Sequence, residues 1–181
     1  DLRVREAEPR HRFGLAERVG PVLQRLADQT EDTAYFMLRV DDEALCLDLR
    51  EGSFPLKTIS VRVGHRWPLG VGAGALALLA FLPEHEIAQI LHDQRAGRQQ
   101  FGLDEAVLER EIATAKALGY AIVDATVIPG MGALGVPIMG GDGKPLGSIA
   151  LAAISSRLAP PQREDLIAKL FAEARAIEQL L

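Results

Sequence analysis

From Trp67 to Leu82 the chain reads WPLGVGAGALALLAFL, sixteen residues without a charge or a hydroxyl. Few folds accommodate such a segment. A bilayer-spanning helix needs about 20 apolar residues, and this run is shorter, rich in glycine and flanked by Arg66 alone. Ala and Leu are strong helix formers whereas Gly and Pro are poor ones, so a helix is expected from near Gly74 to Pro83. It would be apolar around its whole circumference and therefore buried on every side. The rest of the chain has to build a core around it.

The chain is long enough to do so. Its 181 residues, 48% apolar and 25% charged, suit one globular domain. Leu15, Val19, Val22, Leu23 and Leu26 recur at helical spacing, with Pro21 expected to kink or restart that helix. TAYFMLRV (33–40), ALCLDLRE (44–51) and PLKTISVRV (55–63) read as strands joined by the short connections Asp41-Asp42 and Glu51-Gly52-Ser53, which implies an antiparallel meander. A helix starting at Pro83 or Glu84 turns Ile87, Ile90 and Leu91 inward. RAGRQQFG (95–102) reads as a loop. Asp104 is expected to cap a helix that buries Leu108, Ile112, Ala115 and Leu118 and stops at Gly119. YAIVDATV (120–127) reads as a strand. ALGVPIM and PLGSIALAAI flank an Asp142-Gly143 turn as a hairpin. Leu166, Leu170, Ala174, Ile177 and Leu181 mark a closing amphipathic helix. Strands joined by short turns, with helices before, between and after, predict an α/β (α+β) sandwich on about six mainly antiparallel strands.

Charge and motif chemistry narrow the function. A net charge of −5 argues against nucleic-acid binding by this chain itself. The one basic cluster (Arg3, Arg5, Arg10, His11 and Arg12, interrupted by Glu6 and Glu8) reads as a solvated tail or the stub of a removed neighbour. The chain opens on Asp1, so a cut N-terminus is expected. No signal-peptide pattern opens it. A single cysteine, Cys46, excludes an intrachain disulfide framework, and a reducing, cytoplasmic location is expected.

A Walker-type phosphate loop needs Lys and then Ser or Thr after its last glycine, whereas Gly74 precedes Ala75 and Leu76. GVGAGA also lacks the Gly-x-Gly-x-x-Gly spacing of a dinucleotide fingerprint. Two readings of the glycines stay open. They permit close helix-to-sheet packing, or they leave main-chain N–H groups at a helix start, near Ala73 and Gly74, for a carboxylate. His11, His65, His85 and His92 are scattered, so neither a metal centre nor a cofactor is expected. Cys46 lies between leucines, Ser155-Ser156 is no nucleophile elbow, and no carboxylates are obviously paired. An enzyme is not expected.

The order of the pieces is informative. RHRFG leads into a helix ending PVLQRLADQT. Then follow VGHRWPLGVGAGALALLAFLP, LGYAIVDATVIPGMGALGVPIMGGDGKPLGSIALAAISSRL and a final helix. From about Arg10 onward this resembles the effector-binding domain of the IclR family of bacterial transcription regulators. The resemblance implies a GAF-like sandwich in residues 15–181. Residues 1–14 would be the remnant of a winged helix-turn-helix wing or linker. It implies a homodimer or homotetramer, and contact with operator DNA only through the missing N-terminal domain. It also implies a pocket for a small organic-acid effector, lined here by Leu69, Gly72, Ala73, Gly74, Ala75, Val123, Ala133, Ala150 and Ala152.

This chain departs from family members that take small keto acids. Those show an acid at the position of Val123, Cys at Ala133, hydroxyls at Ala150 and Ala152, and Gly-Lys at Ala75-Leu76. A small polar acid here would leave its far end unpaired, at roughly 1–3 kcal/mol per group. An apolar body gains about 25 cal/mol per Å² buried. The expected ligand is therefore larger and more apolar than glyoxylate or pyruvate, such as an aromatic acid. The competing readings are a ligand-free assembly module and a small enzyme on a GAF-like fold. Self-association is expected because the segment after Leu15 and the strand from Thr33 look too apolar for a monomer to cover.

Overall fold

Apolar spacing draws Pro9–Thr30 into one helix, α1. The helix continues through Pro21, which lies on its exposed face, so the carbonyl left without an N–H partner faces water. It ends where Glu31 adopts a left-handed φ of 64° and its N–H bonds Ala27 O at 2.8 Å. The structure, a computed structural model, describes residues 9–56, 61–124 and 129–181. Residues 9–13 are the first residues of this helix; residues 1–8 lie outside the described residues.

Branched and aromatic residues form β1 (Thr33–Val40), which turns back into β2 (Glu43–Arg50). The third strand is not where alternation placed it. Residues 57–60 lie outside the described residues, and on either side Leu56 and Val63 are exposed while Val61 is buried. The strand β3 is instead Arg66–Pro68, which pairs with Glu43–Leu45. Pro68 ends it, having no N–H to give to a ladder.

Next come α2 (Gly72–Ala80), α3 (Glu84–Asp93), α4 (Arg95–Gln99) and α5 (Glu105–Leu118). The α4 helix replaces an expected loop. Its Arg98 is buried and donates to Ile90 O at 3.1 Å and to Leu91 O, satisfying carbonyls at the end of α3. Asp104 caps α5 by accepting from the N–H groups of Ala106 and Val107, and Gly119 stops it at φ 81°. Leu118 is exposed rather than buried because it sits on the last turn, at the end of the covered face.

The chain closes with β4 (Ala121–Asp124), β5 (Met131–Met139), β6 (Pro145–Ile154), a 3-10 turn at Ser155–Leu158 and α6 (Gln162–Glu178). The strand expected over 120–127 is described only to Asp124, since 125–128 lie outside the described residues. Leu181, expected on the inner face, lies beyond α6 and is exposed.

All pairings are antiparallel, in the order β3-β2-β1-β6-β5-β4. Alternation along β1 splits the core in two. Tyr35 and Met37 face α2, α3 and α5; Ala34, Phe36 and Leu38 face α1 and α6. The expectation that α1 and β1 need a second copy to cover them does not hold. β1 is a central strand, and Leu23, Leu26 and Phe36 are fully buried within one chain.

Candidate functional site

The start of α2 comes down onto the sheet because glycines let it. Gly72 takes a φ of 78° and lies beneath the Trp67 ring, where an added Cβ would sit 3.2 Å from Cζ3. A Cβ on Gly74 would lie 2.8 Å from Met37 Cγ, and one on Gly135 would lie 2.5 Å from the Ala73 carbonyl oxygen. Ser148 Oγ, fully buried, donates to Gly74 O at 2.8 Å and pins the helix to β6. The close-packing reading of these glycines is therefore met at Gly74 and Gly135.

Beside this contact the sheet falls away. Register places Val123, Ala133 and Ala152 on one rung across β4, β5 and β6, and Gly135, Ala150 and Tyr35 on the next rung across β5, β6 and β1. Ala133, Ala150 and Ala152 carry only a methyl each, so away from the tight contact at Gly135 the space between sheet and helix is not filled. It forms a cavity with about 630 Å³ of atom-free volume, its open mouth included. Eight of the nine residues singled out in the sequence line it: Gly72, Ala73, Gly74 and Ala75 on the helix side, and Val123, Ala133, Ala150 and Ala152 on the sheet side. Leu69 does not. It is fully buried in the core beside α5, where the adjacent Gly70 packs against Leu108.

Sequence reasoning missed Tyr35, Met37, Val61, Trp67 and Met131, together with Val71, Gly132 and Leu151, which also line the wall. Tyr35 and Met37 carried no signal, since β1 is apolar on both faces and only its pairing with β6 aims them here. Trp67 had one: it is the sole tryptophan, and it directly precedes the glycine-rich run.

The cavity's chemistry is simple. Among the described lining residues the Tyr35 hydroxyl and the Trp67 indole N–H are the only polar side-chain groups other than thioethers, and none of these residues carries a charge. Val71 stands at the N-cap of α2 without a side-chain hydrogen bond, and no acid occupies the first turn. The first N–H groups of a helix lack intrahelical acceptors, and the helix dipole adds partial positive charge there. The arrangement suits an apolar body with a negative end. It offers no nucleophile: Cys46, in the same core, has its thiol pushed up to about 12 by burial and then by the Asp48 carboxylate. Among the described residues no cluster of His, Cys, Asp and Glu is arranged to hold a metal ion, and no helix is long and apolar enough to cross a membrane.

Comparisons with known proteins give the family and the fold. The profile of the family described as "Bacterial transcriptional regulator IclR C-terminal" matches residues 9–179. The HTH-type transcriptional repressor AllR of Klebsiella pneumoniae is 26% identical over 145 residues, covering 78% of this chain and 52% of AllR. The probable HTH-type transcriptional regulator ArcR of Halobacterium salinarum is 29% identical over 142 residues, covering 75% of this chain and 53% of ArcR. The chain thus spans about half the length of these curated relatives. The crystal structure of the Thermotoga maritima IclR superposes with a TM-score of 0.81 at 22% identity, over 94% of this chain and 70% of that one. The transcriptional regulator YaiJ does so with a TM-score of 0.83 at 20% identity, over 93% and 96%. At such identities the two structures speak for the fold. The relatives' names point to regulation rather than catalysis. By its sequence profile and its fold, the chain belongs to the IclR family of bacterial transcriptional regulators and represents their C-terminal domain.

Proposed function

We propose that this domain senses a small organic acid with a largely apolar or aromatic body, and that binding modulates DNA attachment by the regulator of which it is part. The observation that carries this reading is the uncharged cavity at the uncapped start of α2. The acid group would meet main-chain N–H groups near Gly72 to Ala75, and the body would lie over Val123, Ala133, Ala150 and Ala152. Operator DNA would be held by a separate N-terminal domain, with residues 1–14 as the remnant of its wing or linker. A second copy of the chain, in a dimer or tetramer, is proposed on family membership alone, since α1 and β1 are covered within one chain. A clean monomer in sedimentation at micromolar concentration would count against that part.

The competing reading, an assembly module without a ligand, draws on the fact that packing accounts for Gly74 and Gly135. A thermal-shift screen separates the two. Ligand at a hundred times its Kd stabilises by about 2.7 kcal/mol, which for a domain of this size raises Tm by roughly 5–10 °C. Phenylacetate, hexanoate and related acids are expected to do this, while glyoxylate and pyruvate are not. Ala150→Leu, which fills the cavity floor, should abolish the response. A response to the small keto acids alone would overturn the proposed ligand class, and no response to any acid would favour the assembly module.

A further inference from the structure

The cavity wall is uneven. On the sheet and helix sides it is made mainly of Gly, Ala and Val, which offer little surface for a ligand to grip. The broad surfaces belong to Tyr35 and Trp67, with the thioethers of Met37 and Met131 between the small residues. Tyr35 is held within the central strand β1, buried and paired with Ala150. Trp67 is placed differently. It lies on the three-residue edge strand β3, paired with Ala44, and its ring is only partly covered.

Two contacts fix that ring although its strand is short. Phe101 packs against it with ring centroids 5.6 Å apart and planes tilted by 52°. Gly72 lies under its edge, and the left-handed φ of 78° disfavours any side chain there. The indole thus stands as a preset flat wall next to the helix start where an acid group would sit. Aromatic pairs gain about 0.5–1.5 kcal/mol beyond the area they bury, through offset or edge-on ring geometry that an aliphatic chain cannot reproduce. A wall already in place also spares the ligand the entropy of ordering it.

We propose that Trp67 is the specificity-determining residue of this cavity, and that its indole selects an acid bearing a single aromatic ring over an aliphatic acid of similar length. This rests on the ligand-sensing reading above and goes beyond it by separating the two ligand classes which that reading leaves together. Phe101 is a positioning residue, acting through the indole.

Calorimetric titration of the chain with phenylacetate and with hexanoate tests this. Phenylacetate is expected to bind about tenfold more tightly. Trp67→Leu should weaken phenylacetate by about that factor and leave hexanoate within twofold, and Trp67→Phe should restore most of the preference. If Trp67→Leu does not fold, the wild type still decides. Its single indole should give one N–H resonance that shifts with phenylacetate by a ring-current effect and barely moves with hexanoate. Equal affinities for the two acids, equal weakening of both by Trp67→Leu, or an indole resonance blind to phenylacetate would each overturn the role of Trp67 while leaving the cavity a sensor. Failure of both acids to bind would overturn the apolar-acid ligand class on which this rests, and the role of Trp67 with it.

Discussion

Arg157, on the 3-10 turn after β6, should be among the most costly residues to remove. Its Nε donates to both oxygens of Asp32, at 3.0 and 3.2 Å, and its Nη2 donates to Thr30 O at 2.8 Å. Its guanidinium carbon stands 4.3 Å above the Phe54 ring. The Asp32 side chain is 2% exposed, so water cannot replace the guanidinium. Arg157→Leu keeps much of the volume but strands a buried carboxylate, a defect that costs about 3–5 kcal/mol. The cost should depend on pH. Burial already pushes the Asp32 carboxyl above its ordinary 3.8, with Arg157 pulling in the opposite direction. Without Arg157 the folded-state value rises further. Between the unfolded and folded values the native state then holds the extra proton, so stability falls as pH rises, by about 1.4 kcal/mol per pH unit. The defect is largest near pH 7 and shrinks toward pH 4. Urea denaturation at both pH values measures it, and Asp32→Asn in the same chain should recover a large part of the loss at pH 7. A loss below about 1 kcal/mol at pH 7, or one that grows on acidification, would refute the reasoning.

Two further expectations concern stability. The Cys46 thiol is raised from 9.0 to about 12, so the stability tied to its neutral form is complete below pH 9 and declines as pH rises toward 12. Wild type should therefore lose about 2 kcal/mol more than Cys46→Ala between pH 9 and 10.5 in urea melts, and identical pH profiles would contradict this. Gly135→Ala drives a methyl to 2.5 Å from the Ala73 backbone oxygen, which cannot swing aside, and should cost about 1–3 kcal/mol. Gly74→Ala meets the flexible Met37 side chain and gains helix propensity, so its Tm should stay above that of Gly135→Ala; the reverse order would count against the packing described here.

What could be read from the sequence was mostly what is decided locally. Asp104 and Gly119 carry their capping roles in their own chemistry, and the β5–β6 hairpin is announced by Asp142-Gly143 between two apolar runs. The all-apolar α2 needed only its composition, although it begins at Gly72, two residues before the expected start. The misplaced third strand shows the limit. Val61 and Val63 alternate onto one apolar face of the expected strand, yet Val63 lies exposed, and the pairing falls to Arg66–Pro68. α4 depends on Arg98 reaching carbonyls of the preceding helix, a tertiary contact that no local pattern announces. At the cavity, the small residues on β5 and β6 were visible as departures from a family pattern. Tyr35 and Met37 were not, because only strand register brings β1 beside β6.

That register has a consequence for how the domain comes into being. The first three strands and the last three meet only at the seam where Thr33–Leu38 pairs with Gly147–Ala152. During synthesis β1 has no permanent neighbour on that side until the chain through β6 has left the ribosome. Pairing between such distant segments is slow. The cavity floor, which spans the seam, is therefore among the last features to exist, and no shortened chain ending before β6 can form it.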